Sequence, residues 1–122
     1  MPRFLASLAD WAAEERAAIP VERIEGRVLL VCGRADAMWP SALMAERAAA
    51  RMAAHGQADR VTHLCYEGAG HTIGHPYVPA TLTAGVHPVD KRVYDYGGDP
   101  AAIARARADS WPRVVAFLRE AL

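Results

Sequence analysis

Apolar positions along the chain fall into short blocks with different spacings. In residues 3–17, Phe4, Leu8 and Trp11 share one helical face and Glu14, Glu15 and Arg16 lie towards the end, which predicts a helix. Pro20 in "AIPVERIEG" then fixes an extended linker. "RVLLVC", residues 27–32, is rich in β-branched residues, does not alternate, and is bounded by Gly26 and Gly33. That pattern predicts a strand buried on both faces, as in a parallel sheet. Pro40 and Ser41 open a helix running to about His55, with Ser41 a good capping residue. Leu43, Met44, Ala48 and Met52 make its apolar side, Glu46, Arg47 and Arg51 point elsewhere, and Gly56 stops it. "RVTHLCYE", residues 60–67, reads as a second strand. Strand, helix and strand in this succession predict a βαβ unit with parallel strands.

Residues 72–98 show no periodicity and contain Pro76, Pro79, Pro88 and the pair Gly97–Gly98. A loop of this length inside a small domain is either functional or disordered. "GGDP" starts the last helix, with Asp99 as cap and Pro100 at its first position. Pro112 is expected to kink or restart it, and Trp111, Val115, Leu118 and Leu122 to form its packing stripe.

Composition narrows the function classes. The 122 residues suffice for one domain, spanning 1–122, and a globule of this size buries roughly two thirds of the surface its unfolded chain exposes. Lys plus Arg equals Asp plus Glu, at 14 each, and no basic run occurs, so nucleic acid is not an expected partner. No apolar run is long enough to span a membrane. The N-terminal residues are broken by Asp10, Glu14, Glu15 and Arg16 and do not read as a signal peptide. Cys32 and Cys65 form no CxxC pair and sit in apolar runs, which predicts buried free thiols in a reducing cytoplasm. No Gly-rich phosphate loop supports a nucleotide site, and no cofactor is expected.

The candidate chemistry lies at the strand ends. Asp36 follows the first strand and His71 follows the second, in "EGAGHTIGH". Ligands and catalytic groups of open α/β sheets collect at the carboxyl ends of strands, and neighbouring strands run ~4.8 Å apart. The two loops can therefore bring Asp36 and His71 into hydrogen-bond reach, with Gly68, Ala69 and Gly70 allowing a sharp turn. An aspartate on the Nδ1–H of a histidine fixes its tautomer and frees Nε2 to take a proton from a nucleophile. Acid before histidine, each after its own strand, matches the α/β-hydrolase order of nucleophile, acid and histidine. Asp36 could instead only cap the helix, but Ser41 is better placed. His71 and His75 stand four apart, yet Gly74 and Pro76 disfavour a helix between them and no further ligands cluster, so no metal is assigned. His55 and His63 read as structural. Trp39 reads as a lid or packing residue, and His87, Tyr77, Tyr94 and Tyr96 as either pocket lining or cover for the sheet; Trp39 and Tyr77 are the substrate-binding candidates.

Three stretches, "IPVERIEGRVLLVCGRADAMWPS", "YEGAGHTIGHPYVP" and "GGDPAAIARARADSWPRVVAFL", together resemble the C-terminal part of the acyl-CoA thioester hydrolase / bile acid-CoA:amino acid N-acyltransferase family, from Ile19 onward. The G-x-x-D-x-x-x-P piece alone also occurs in dienelactone-hydrolase-like esterases. The resemblance implies the C-terminal portion of an α/β-hydrolase fold, with a short parallel sheet and flanking helices. It implies Asp36 as triad acid, His71 as triad base, and an acyl-CoA or other thioester or ester as substrate. The family's nucleophile sits in a G-x-[SC]-x-G elbow that this sequence lacks: Ser7 and Ser110 lie in helical stretches, Ser41 opens a helix, and Cys32 and Cys65 are inside strands. Loss of a triad serine costs roughly 10⁶ in turnover, so the chain alone is expected to be nearly inactive unless a nucleophile-bearing half complements it. The alternative is a non-catalytic module that uses its open sheet edge to form a homo-oligomer.

Overall fold

The computed structural model describes Ala13 and residues 16–121. The helix expected at residues 3–17, with Phe4, Leu8 and Trp11, falls largely outside that range, as do Ser7 and Leu122. The elements in chain order are β1 (Val28–Gly33), α1 (Ser41–Ala54), β2 (Val61–Tyr66), β3 (Ala84–Val86), β4 (Val93–Asp95) and α2 (Pro100–Ala121), with short 3₁₀ turns at Val21–Arg23, Ala58–Arg60 and His71–Gly74. β1 and β2 pair in parallel, in register from Val28 opposite Val61 to Gly33 opposite Tyr66. The expected βαβ succession is therefore present. The expectation of a strand buried on both faces is corrected: only Cys32 and Gly33 of β1 are buried and the rest of the strand is half-buried, because β1 has a single ladder neighbour among the described residues.

Side chains alternate across the sheet. Val31 and Tyr66 face a core of Ala69, Ile73, Ile103 and Ala106, the last two from α2. Cys32 and Cys65, directly opposite each other, point to the other face. α1 packs on both strands, and its Met52 is fully buried. Met44, expected on the apolar side, is 43% exposed. Arg51, expected to point away, instead donates to both carboxylate oxygens of Glu22 at 2.5 and 3.0 Å. Ser41 does not cap α1; the helix begins without a side-chain cap, and Ser41 Oγ donates to the Gly33 carbonyl at 3.2 Å, tying the helix start to the end of β1.

α2 begins as expected, with Asp99 Oδ1 accepting from the Ala102 N–H at 2.9 Å and Pro100 as its first residue. It departs from expectation in two ways. It continues through Pro112 as one helix. Its packed face is Ala102, Ile103, Ala106, Arg107 and Ser110, while Trp111 and Leu118 are exposed. Small residues let α2 approach the Gly68–Ala69 backbone closely; a Cβ on Gly68 would lie 3.1 Å from the Ala102 methyl.

The stretch without periodicity is ordered. It carries the antiparallel hairpin β3–β4, with Gly85 opposite Tyr94. Strands of three residues are too short to display an alternation, and Val86 and Val93 of this hairpin are exposed, so the period-2 signal had no core to report.

Candidate active site

Three backbone segments converge beyond the carboxyl ends of β1 and β2. The chain leaving β1 is laced to the chain leaving β2: Arg34 N–H donates to the Tyr66 carbonyl and Ala35 N–H to the Ala69 carbonyl, both at 3.0 Å. The approach is close enough that a Cβ on Gly33 would lie 2.2 Å from the Ala69 oxygen. The third segment, residues 96–98, closes over both. The Tyr96 carbonyl accepts from the His71 N–H at 2.8 Å and from the Ala37 N–H at 3.4 Å, and Gly97 forms a bridge with Asp36. Gly97 and Gly98 hold φ of 68° and 85°, and a Cβ on Gly70 would lie 2.0 Å from the Gly97 oxygen. Only glycine fits these crossings.

Asp36 emerges from this lacing almost fully buried, at 5% exposure. Its Oδ1 accepts from the backbone N–H groups of Met38 and Trp39, both at 2.9 Å, which holds the carboxylate in a local turn. Its Oδ2 lies 3.0 Å from His71 Nδ1. Since a carboxylate oxygen accepts, Nδ1 donates, and Nε2 carries the free lone pair. The His71 side chain is one third exposed, so the imidazole reaches the surface while its orienting partner does not. The Trp39 ring stacks on the imidazole at 6.3 Å between centroids and 18° between planes, and the Tyr96 ring lies tilted at 6.0 Å.

Arg107 braces the turn that His71 begins. Its guanidinium donates to the Thr72 carbonyl through Nη2 at 2.8 Å and Nε at 3.2 Å, and through Nη1 to the Val78 carbonyl. It is 7% exposed, and removal from water lowers its pKa. An arginine within an Ala-rich helical run carries no mark of this role in sequence.

Trp39 and Tyr77 fall in different places. Trp39 lines a recess of about 270 Å³ with Gly33, Arg34, Asp36, Pro40 and Leu43. Tyr77 is 87% exposed, sits edge-on to Trp111 at 6.1 Å, and lines a separate cleft of about 500 Å³ with Val78, Ala80 and Arg107. The structure does not bring Tyr77 to Asp36. His87 is at the hairpin tip, 3.1 Å from Asp90 and beside Tyr94, and His75 is exposed. Of the described hydroxyls and thiols considered as nucleophiles, Ser41 is bonded to the Gly33 carbonyl, Ser110 is buried on α2, and burial pushes the Cys32 thiol up to about 12. Both cysteines are free, Cys32 buried and Cys65 half-buried. Among the described residues, Cys32, His63 and Cys65 form the one His/Cys group compact enough to hold a metal ion. No helix among the described residues is long and apolar enough to cross a membrane.

Comparison with known proteins identifies the family. The family model described as "BAAT / Acyl-CoA thioester hydrolase C terminal" matches residues 5–122. The chain is 34% identical over 111 residues to acyl-coenzyme A thioesterase 5 of Mus musculus, covering 91% of this chain and 26% of that protein. It is 38% identical over 104 residues to acyl-coenzyme A amino acid N-acyltransferase 1 of Mus musculus, covering 85% of this chain and 24% of that one. A third relative, the peroxisomal succinyl-coenzyme A thioesterase of Mus musculus, is 35% identical over 104 residues, with 85% and 24% covered. The chain thus spans about a quarter of the length of these relatives.

Proposed function

The chain belongs to the BAAT / acyl-CoA thioester hydrolase C-terminal family, and from that premise we propose that it supplies the acid and the base of an α/β-hydrolase triad acting on acyl-CoA thioesters. The observation that carries this reading is the hydrogen bond between His71 Nδ1 and Asp36 Oδ2. His71 Nε2 takes the proton of a Ser or Cys as that group attacks the thioester carbonyl. The imidazolium, steadied by Asp36, then protonates the departing CoA thiolate. Water or an amine, deprotonated by the same nitrogen, resolves the acyl-enzyme. No cofactor is needed for these steps. Trp39, stacked on His71, walls the acyl side of the imidazole.

The nucleophile comes from another segment, in the same protein or a partner chain, since no G-x-[SC]-x-G occurs in these residues. The two free thiols suit a reducing compartment such as the cytoplasm. The test is a thioesterase assay over a range of acyl-CoA lengths, on the chain alone and mixed with a nucleophile-bearing half of a relative. The chain alone should turn over no faster than its His71→Ala variant, and the mixture should be active only with His71 intact. Turnover by the chain alone that His71→Ala removes would overturn the borrowed nucleophile.

A second reading is favoured by the sheet. β1 and β2 each have an outer edge with no ladder partner among the described residues, and such edges pair with other chains. In this reading the module assembles with copies of itself and does no chemistry. A stable monomer at micromolar concentration by light scattering contradicts it.

A further inference from the structure

The face of the sheet turned away from Ile103 and Ala106 carries two thiols and an imidazole aimed at one point. Cys32 and Cys65 are direct register partners, and His63, two residues before Cys65, shares their face. Cys32 Sγ lies 3.3 Å from His63 Nε2, and the three ligand atoms all fall within 4.8 Å of one another. A tetrahedral zinc ion with ordinary Zn–S and Zn–N bonds sets its sulfurs about 3.8 Å apart and sulfur from nitrogen about 3.6 Å apart. Shifts of under about 1 Å, within the reach of side-chain torsions, convert one set of separations into the other.

We propose that Cys32, His63 and Cys65 form a binding site for a thiophilic divalent ion of the Zn²⁺ class. Two sulfurs and one imidazole nitrogen are soft to borderline donors, which select Zn²⁺ or Cd²⁺ over Mg²⁺ and Ca²⁺. Hydrogen bonds link Cys32 to both His63 and Cys65; an ion would replace them by bonding all three donors at once. Each thiol surrenders its proton to solvent on ligating. Cys65 and His63 are half-buried, and a water molecule would complete the ion's fourth position. A Cys32–Cys65 disulfide would need an oxidant; ion binding needs none. The ion would bridge β1 to β2 just below the loops that carry Asp36 and His71, and it takes no part in the proposed acyl chemistry.

The test is titration of the reduced, chelator-stripped 122-residue chain with Cd²⁺, followed by thiolate-to-metal charge-transfer absorbance in the ultraviolet. Thiol content is counted beforehand, and folding is checked by circular dichroism. The band should saturate at one equivalent. Cys65→Ser, at a half-buried position, should halve its intensity, and His63→Ala should weaken affinity at least tenfold while keeping both thiolate contributions. A flat titration of folded protein with both thiols counted overturns the site. So does a His63→Ala chain that binds as tightly as the parent.

Discussion

Asp36 and His71 stand 35 residues apart in sequence, yet the carboxylate oxygen of one lies 3.0 Å from the ring nitrogen of the other. Neither side chain reaches far to make this contact. Parallel pairing puts the ends of β1 and β2 side by side, and the backbone bonds from Arg34 and Ala35 carry that proximity three residues further. Both carboxylate oxygens then have partners, Oδ1 the Met38 and Trp39 N–H groups and Oδ2 the imidazole, so the direction of the side chain is fixed.

Asp36→Asn separates orientation from folding. The amide oxygen can still accept from Met38 and Trp39, but the NH₂ group presents a donor to Nδ1 and favours the wrong tautomer. Turnover of the complemented thioesterase should fall about 10⁴-fold, with the thermal unfolding midpoint nearly unchanged. Steady-state kinetics and a melting curve on the same preparation check both halves.

Gly70→Ala should disrupt the crossing itself, because the new methyl would sit 2.0 Å from the Gly97 oxygen and both sides of that contact are backbone. A loss of about 3 kcal/mol or more is expected, beyond ordinary overpacking. Gly26→Ala meets nothing within 4 Å and should be neutral or stabilise by about 0.5 kcal/mol. Urea unfolding of the two variants against the parent reads the contrast.

Arg107→Ala removes the donors to two carbonyls, those of Thr72 and Val78, on the turn after His71. The expected loss is about 2–3 kcal/mol. Hydrogen exchange should rise for residues 72–78 before it rises in β1 and β2. Arg107→Lys should recover little, since one ammonium cannot reproduce the forked geometry.

The Glu22–Arg51 pair gives a pH signature. The Arg51 guanidinium lowers the Glu22 pKa from 4.5 to about 2. A depressed carboxylate contributes its stability fully above about 4.5 and loses it as pH falls towards 2. Urea midpoints measured from pH 6 to pH 2 should therefore drop more steeply for the parent than for Glu22→Gln across that window.

Much of this arrangement could be read from residue order. The unbroken apolar run of β1, the glycines around it and the helix between the strands forced a parallel pair, and that pair alone placed Asp36 near His71. Asp99 and Pro100 announced the start of α2. Other features left no local trace. Ser41 looks like a cap because capping is a local rule, whereas its bond to Gly33 depends on where β1 ends. Of the apolar stripe, Val115 is half-buried while Trp111 and Leu118 are exposed, since close approach to the Gly68–Ala69 backbone demanded small side chains, and Ala102 and Ala106 provide them. Gly97 and Gly98 could be read as a turn, but their place above Asp36 depends on a third segment returning over the first two. Tyr77 could be read only as a residue of the long loop, as pocket lining or as cover; it lines the cleft beside Trp111 and Arg107.

The backbone crossings and hydrogen bonds that set Asp36 against His71 are made by residues between Gly33 and Gly98, with Arg107 of α2 bracing the turn behind His71. The pair therefore travels as a cassette. Under the proposed role, joining it to a different nucleophile-bearing part would bring the acid and the imidazole in already aligned, with the open edges of β1 and β2 as the places to join.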